Sequence, residues 1–318
     1  MARIQALPRA VRRCASATLS AIVLATAACG GGSGGPGGNA DHGTSSLAVN
    51  GGRETNVESI RQVVRIRVNG AVVCSGVLVR SHIVLTATHC IKDASEDRVE
   101  VEVPRFRDRF DAYRVKKIFK QDYRLHNNIL VHSGSGAMKV DAGALVLEHS
   151  ITQDPDDEDS PNLPPLPILP TEAAAGFFEA HKMNRLTFLE REGDSEDASP
   201  FRIYGYGYTA DMDAHGAGWT VGTLRDAVVP LRGRWGMFDE ELHVGFKRRL
   251  ACWVDSGGPL LATKDGTPYI VGVSSRFFSY DEFDGACSNS DGSIYTDVTA
   301  RHVKLWLDGI IQQNPPVI

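Results

Sequence analysis

The sequence predicts an all-β chain, barrels or a sandwich, with one helix at its C-terminal end. Three observations predict it. Short β-branched runs recur between turn residues. Glycine and proline, 32 and 15 of 318 residues, supply those turns. One stretch near the C-terminus has clear helical spacing. The length allows about two domains. Hydrophobic residues are 42% and charged residues 23%, which excludes a disordered polymer. Beyond the extreme N-terminus no apolar run reaches the ~20 residues of a membrane-spanning helix. Lys plus Arg is 34 against 39 for Asp plus Glu, a formal charge of −5, so the global charge offers no reason to expect nucleic acid.

The N-terminus carries an export signal: Arg3, Arg9, Arg12 and Arg13 precede a short apolar stretch over residues 15–28. It ends Leu24-Ala25-Thr26-Ala27-Ala28-Cys29 and runs into a Gly/Ser-rich tether or propeptide over residues 30–47. This resembles a bacterial lipoprotein signal with Cys29 as the lipidated residue, although Thr26 stands where that pattern prefers Leu. An ordinary signal cleaved after small residues is the alternative, and both readings export the protein. The expected location is therefore the bacterial cell envelope, lipid-anchored, or the medium.

The strand signals follow in order. Val63-Val64-Arg65-Ile66-Arg67-Val68 ends at Asn69-Gly70, a hairpin turn, and Val72-Val73-Cys74 resumes the strand. Val77-Leu78-Val79-Arg80, Ile83-Val84-Leu85-Thr86, Ala144-Leu145-Val146-Leu147, Ile203-Tyr204-Gly205-Tyr206 and Tyr269-Ile270-Val271-Gly272-Val273 read the same way. The acidic stretch of residues 154–159, with the prolines up to Pro170, reads as a solvated connector, and no EF-hand spacing supports calcium there. Val303, Leu305, Trp306, Ile310 and Ile311 can share the apolar side of a terminal helix that Pro315 stops.

With Cys14 in the signal and Cys29 at the anchor, Cys74, Cys90, Cys252 and Cys287 remain. Four cysteines in an oxidising compartment suggest two disulfides. Three pairings are open, of which Cys74 with Cys90 and Cys252 with Cys287 are local in sequence. A zinc site is the alternative, and no C-x-x-C spacing supports it.

Three segments carry chemistry. Cys252-Trp253-Val254-Asp255-Ser256-Gly257-Gly258-Pro259 puts a serine in a turn that exposes its hydroxyl and aims backbone N–H groups at one point. Thr86-Ala87-Thr88-His89-Cys90 offers an imidazole that a Cys74 tether could fix as a general base. Val140-Asp141-Ala142-Gly143 brings one carboxylate into an apolar strand, as a cap or as the partner of that imidazole.

These segments resemble the chymotrypsin/trypsin family of serine proteases, in the chain order His, Asp, Ser, which differs from that of the α/β-hydrolases. The resemblance runs from about Ala48 to the C-terminus and includes Ala48-Val49-Asn50-Gly51-Gly52, Tyr204-Gly205-Tyr206-Gly207 and Tyr295-Thr296-Asp297-Val298. It implies two six-stranded antiparallel β-barrels with a C-terminal α-helix. The expected division is a first barrel over residues 48–160, holding His89 and Asp141, and a second with the helix over residues 161–318, holding Ser256. The mechanism is that of the family from which the Ser-His-Asp template is drawn. The resemblance implies that His89 is base and then acid, Asp141 its orienter and Ser256 the nucleophile, with the N–H groups of Val254 and Ser256 holding the oxyanion. Cys74–Cys90 and Cys252–Cys287 fall where the family has two of its disulfides.

The main departure is Val254, where the family has glycine. If its peptide turned away, one oxyanion donor would be lost, about 3 kcal/mol or a hundredfold in rate. Leu250 resembles the floor of the substrate pocket, Ser293 a wall and Phe277 the rim, which implies cleavage after apolar residues. Ser275 begins the edge that pairs with substrate backbone. Processing between Leu47 and Ala48 is expected to place a new α-ammonium at Ala48 against Asp255 and to free the body from Cys29. No cofactor or metal is implied; the expected partner is a protein or peptide substrate, and the expected state a monomer. A catalytically dead homologue serving as a binding module and an esterase are the alternatives.

Overall fold

The structure is a computed structural model. It describes residues 49, 52–105, 109–121, 140–154, 156–157, 159–184, 187, 199–207, 222–235, 240–246, 249–278 and 290–316. The signal, the tether, Cys29, Ala48 and Cys287 lie outside these residues.

Among the described residues fourteen strands form two sheets. In the first half they are β1 (Arg53–Glu54), β2 (Val63–Val68), β3 (Ala71–Arg80), β4 (Ile83–Thr86), β5 (Val99–Arg105), β6 (Arg109–Lys120) and β7 (Gly143–Leu147). The second half holds β8 (Phe201–Gly205), β9 (Arg225–Val228), β10 (Leu231–Trp235), β11 (Glu241–Val244), β12 (Pro259–Lys264), β13 (Thr267–Phe278) and β14 (Gly292–Asp297). The helices are α1 (Thr88–Ile91), α2 (Thr171–His181) and α3 (Arg301–Gln313).

The first barrel closes in the order β2-β3-β4-β7-β6-β5, with β5 back on β2. Its opening hairpin turns at Asn69 and Gly70 with φ of 54° and 80°, the left-handed pair that matches strand twist. Alternate residues such as Val64, Ile66, Val99, Val101 and Val103 point inward and are buried.

The second sheet has the order β1-β9-β8-β12-β13-β14-β11-β10. Its curl nearly closes the ring. Strands β9 and β10 stand towards opposite ends of this order yet are consecutive in the chain, joined only by Val229 and Pro230. The Val229 N–H donates to Phe201 O at 3.0 Å and the Gly245 N–H to Pro230 O at 3.0 Å. Counted as one bent strand, β9 and β10 make six segments with β8, β11, β12, β13 and β14, and β1 adds to the edge. Strand β1 thus precedes the first barrel in the chain and pairs in the second sheet.

A third apolar cluster joins Val77 and Leu85 of the first barrel to Leu261 and Val273 of the second sheet and to Val303 and Leu307 of α3. The face that α3 buries is Val303, Leu307 and Ile310. Leu305 corrects the sequence expectation: it is 60% exposed, because the buried stripe runs i, i+4, i+7 from Val303 and leaves it outside. The helix ends at Gln313, ahead of Pro315. Helix α2 follows the proline-rich connector and buries Ala174 and Phe178. Among the described residues no helix is long and apolar enough to cross a membrane. The fold is trypsin-like: a closed six-stranded barrel, a curled second sheet and a C-terminal helix.

Candidate active site

His89 lies on α1, the single turn that follows the wholly buried β4. The Cys74–Cys90 disulfide ties this turn to β3 across 6.1 Å between Cα atoms. Two hydrogen bonds join it to Asp141, just ahead of β7. The His89 backbone N–H donates to Oδ1 at 3.0 Å, and the ring Nδ1 is 2.6 Å from Oδ2. An ionised carboxylate only accepts, so Nδ1 carries a proton, and in the neutral ring the lone pair is then on Nε2.

Asp141 is 4% exposed. Burial alone would raise its carboxyl, yet the hydrogen bonds and charge of His89, with the Ser275 hydroxyl, hold it below the ordinary value. Ser275 Oγ donates to Oδ2 at 2.8 Å, and the Asp141 N–H donates to Thr296 Oγ1 at 3.2 Å. Strands β13 and β14 of the second sheet therefore position a carboxylate that belongs to the first barrel. Sequence reasoning placed Ser275 on the substrate edge and missed this bond and Thr296; neither has a local signal.

The serine turn is built against β3. Gly257 has φ of +80°, and a Cβ there would stand 2.2 Å from Thr86 Oγ1 and 2.3 Å from Ser75 O, so only glycine fits. Ser75 is fully buried and does three things. Its N–H donates to Ser256 O at 2.8 Å, its hydroxyl donates to Val254 O at 3.1 Å, and the same oxygen accepts the Tyr206 N–H at 3.0 Å. The sequence offered Ser75 only as a neighbour of Cys74.

Val254 has φ of 70°, a region a β-branched residue seldom visits. The Trp253 carbonyl comes within 2.6 Å of where a Cβ on Gly207 would stand. In a trans peptide this turns the Val254 N–H away from Gly207. Among the described residues neither the Val254 nor the Ser256 N–H has a hydrogen-bond partner.

Asp255 is fully buried and accepts three N–H groups: Gly207 at 2.7 Å, Cys252 at 2.8 Å and Val49 at 3.2 Å. Burial raises its carboxyl to about 6 in spite of these bonds. Ala48, the expected partner, lies outside the described residues. The N–H on Asp255 belongs to Val49, one residue later, in a turn that the Gly52 N–H closes on Val49 O at 2.6 Å. A Cβ on Gly52 would stand 2.7 Å from Asp226 O, so the turn takes glycine there.

A cavity of about 220 Å³ brings His89, Ser256, Ser275 and Phe277 together with Trp253 and Arg276. Phe277 and Trp253 meet edge to face, with ring centroids 5.3 Å apart. Leu250 and Ser293 do not line it: Leu250 is buried against Cys252 and Phe277, and Ser293 Oγ accepts the Ala251 N–H at 2.9 Å. The apolar end is therefore formed by the aromatic pair, and Trp253 is a lining residue that its sequence position did not signal. Among the described residues no hydrogen bond joins His89 Nε2 to Ser256; Nε2 lies 3.8 Å from Cys90 Sγ. Cys252 is disulfide-bonded.

A barrel that brings a histidine–aspartate pair up to a serine turn of a second, curled sheet is the architecture of the trypsin-like class. Residues 49–158 match the family model Trypsin, which supports a trypsin-like serine protease. The matched stretch begins at Val49, holds His89 and Asp141, and stops before Ser256. No curated protein matches the chain.

Proposed function

We propose that the protein is a serine endopeptidase that cleaves after apolar residues through an acyl-enzyme. The observation that carries this is the convergence of His89, held by Asp141, and Ser256 on one cavity. Ser256 Oγ attacks the scissile carbonyl while its proton passes to His89 Nε2. The same proton then goes to the leaving amine as the C–N bond breaks. Water repeats the two transfers and releases the acid. Asp141 keeps the proton on Nδ1 and offsets the imidazolium charge. The unpartnered N–H groups of Val254 and Ser256 support an oxyanion site, and the left-handed φ of Val254 supports a glycine-like peptide there. The Trp253–Phe277 pair supports an apolar substrate residue before the bond. Labelling with a fluorophosphonate tests the reading. The wild type should label and Ser256→Ala should not, with melting temperatures within a few degrees because the serine sits in a turn. An unlabelled wild type would favour the binding module, and hydrolysis of esters without peptides the esterase.

Processing belongs to the same proposal, now with the new terminus at Val49, after Ala48, since the Val49 nitrogen is the one at Asp255. Export and lipidation at Cys29 remain part of it, supported by the charged, apolar and small-residue order of residues 1–29. Cys29→Ser should abolish incorporation of labelled fatty acid.

A further inference from the structure

We propose that Arg276 is a specificity-determining residue that reads an acidic side chain two to four residues before the scissile bond. The inference rests on the peptidase reading and adds a substrate class to it: peptides with an apolar residue at the bond and a carboxylate upstream.

Among the described residues no strand pairs with β13 beyond Val273 on its β12 side. Strand β13 pairs with β12 only as far as Val273 opposite Pro259, while Ser274 to Phe278 pair with β14 on the other side. The edge beyond Val273 therefore lies beside the serine turn, where the Gly257 N–H donates to Ser274 O at 2.7 Å. An extended peptide adds to such an edge by main-chain hydrogen bonds, and its side chains meet what the edge presents. At ~3.3 Å per residue, positions two to four upstream lie roughly 7 to 13 Å from the bond, alongside Ser275, Arg276 and Phe277.

Among the described residues that line this cavity, Arg276 is the one permanent charge and none is a carboxylate. The guanidinium is held from behind: Nη2 donates to Glu241 Oε1 at 2.6 Å, and Glu241 is 4% exposed. His243 Nε2 is 3.7 Å from the other Glu241 oxygen, so that carboxylate is shared between two bases. Burial alone would raise Glu241, yet the His243 ring and the Arg276 guanidinium bring it below the ordinary value. The Arg276 side chain is 38% exposed, and its Nη1 is a buried donor without a hydrogen-bond partner. A planar guanidinium anchored at Nη2 and still partly exposed is preorganised to meet a second carboxylate through its exposed part.

Binding without turnover separates this from the catalytic reading. The probes are fluorescent peptides with an apolar residue at the cleavage position and either Glu or Gln two, three or four places upstream, measured by anisotropy on Ser256→Ala. We expect Glu to bind about tenfold more tightly than Gln at one of those positions, the size of a charged hydrogen bond. The double variant Arg276→Gln with Glu241→Gln keeps a neutral hydrogen-bonded pair and should bring the ratio to one, while Arg276→Lys should retain part of it. Equal binding at all three positions, or a ratio unchanged in the double variant, overturns the proposal. Wild-type protein that resists the fluorophosphonate while the preference persists would instead overturn the peptidase reading.

Discussion

At the scale of single residues, Asp255 and Val254 both bear strain. Asp255 is ionised at neutral pH without a cation in hydrogen-bond contact, and the difference between 3.8 and about 6 makes that charge cost about 3 kcal/mol. The folded state binds the proton more tightly than the unfolded state. This group's contribution is therefore full below pH 4, declines as pH rises from about 4 to 6, and stays low above. A chain beginning at Val49 would put an α-ammonium on the same oxygen and recover the loss. Urea unfolding of the uncut and Val49 forms from pH 4 to 8 should show a stability gap that opens through pH 6; an equal gap at pH 4.5 and 7.5 would remove Asp255 as its source. Val254 at φ of 70° sets strain against the burial of its side chain. Val254→Gly relieves the first and loses the second, so its stability should stay within about 1 kcal/mol of wild type. Val254→Ala loses burial and keeps the strain, so it should be the less stable of the two by denaturant midpoint.

Among the elements, β3 and α3 carry most of the consequence. Strand β3 supplies Cys74 to the turn bearing His89 and Ser75 to the turn bearing Ser256, so one strand sets the spacing of base and nucleophile. The hydrophobic pattern finds such a strand because its period is local, but it cannot say which neighbour a buried hydroxyl will meet. Helix α3 gives a sharper case. Leu307 is fully buried and Leu305 is 60% exposed, the reverse of the apolar side the sequence suggested, which included Leu305 and left out Leu307. Leu307→Ala should cost about 3 kcal/mol and Leu305→Ala less than about 0.5 kcal/mol in urea unfolding. Helix α2 escaped the sequence reading because Thr-Glu-Ala-Ala-Ala-Gly-Phe-Phe has no repeating apolar stripe; packing of Phe178 on Phe201 holds it.

Across the whole molecule, the cluster that joins Val77 and Leu85 to Leu261, Val273 and α3 makes the two sheets share a core. Tyr206 crosses the same boundary, its hydroxyl donating to Val63 O at 3.2 Å and its N–H to Ser75 Oγ. Exposing either sheet alone would leave this shared surface in water. Calorimetry should therefore give one transition, with calorimetric and van't Hoff enthalpies equal; two resolved peaks would mean that each sheet is stable by itself. The same boundary holds the site, since Asp141 answers to Ser275 and Thr296 from the far side.

The sequence by itself determined the strand-rich class, the Asn69-Gly70 hairpin, the C-terminal helix and the three segments with His89, Asp141 and Ser256. Each is written in a few adjacent residues, where turn chemistry, side-chain period and a nucleophile's neighbours are local. Tertiary structure decided what depends on residues far apart in the chain. It put the Val49 nitrogen on Asp255, separated from it by 206 positions, set the Trp253–Phe277 pair at the cavity, and brought Arg276 beside Ser256 in the same cavity. A one-residue shift of register or the identity of a cavity wall changes no local pattern; it is settled by which atoms meet when the two sheets close on their shared core.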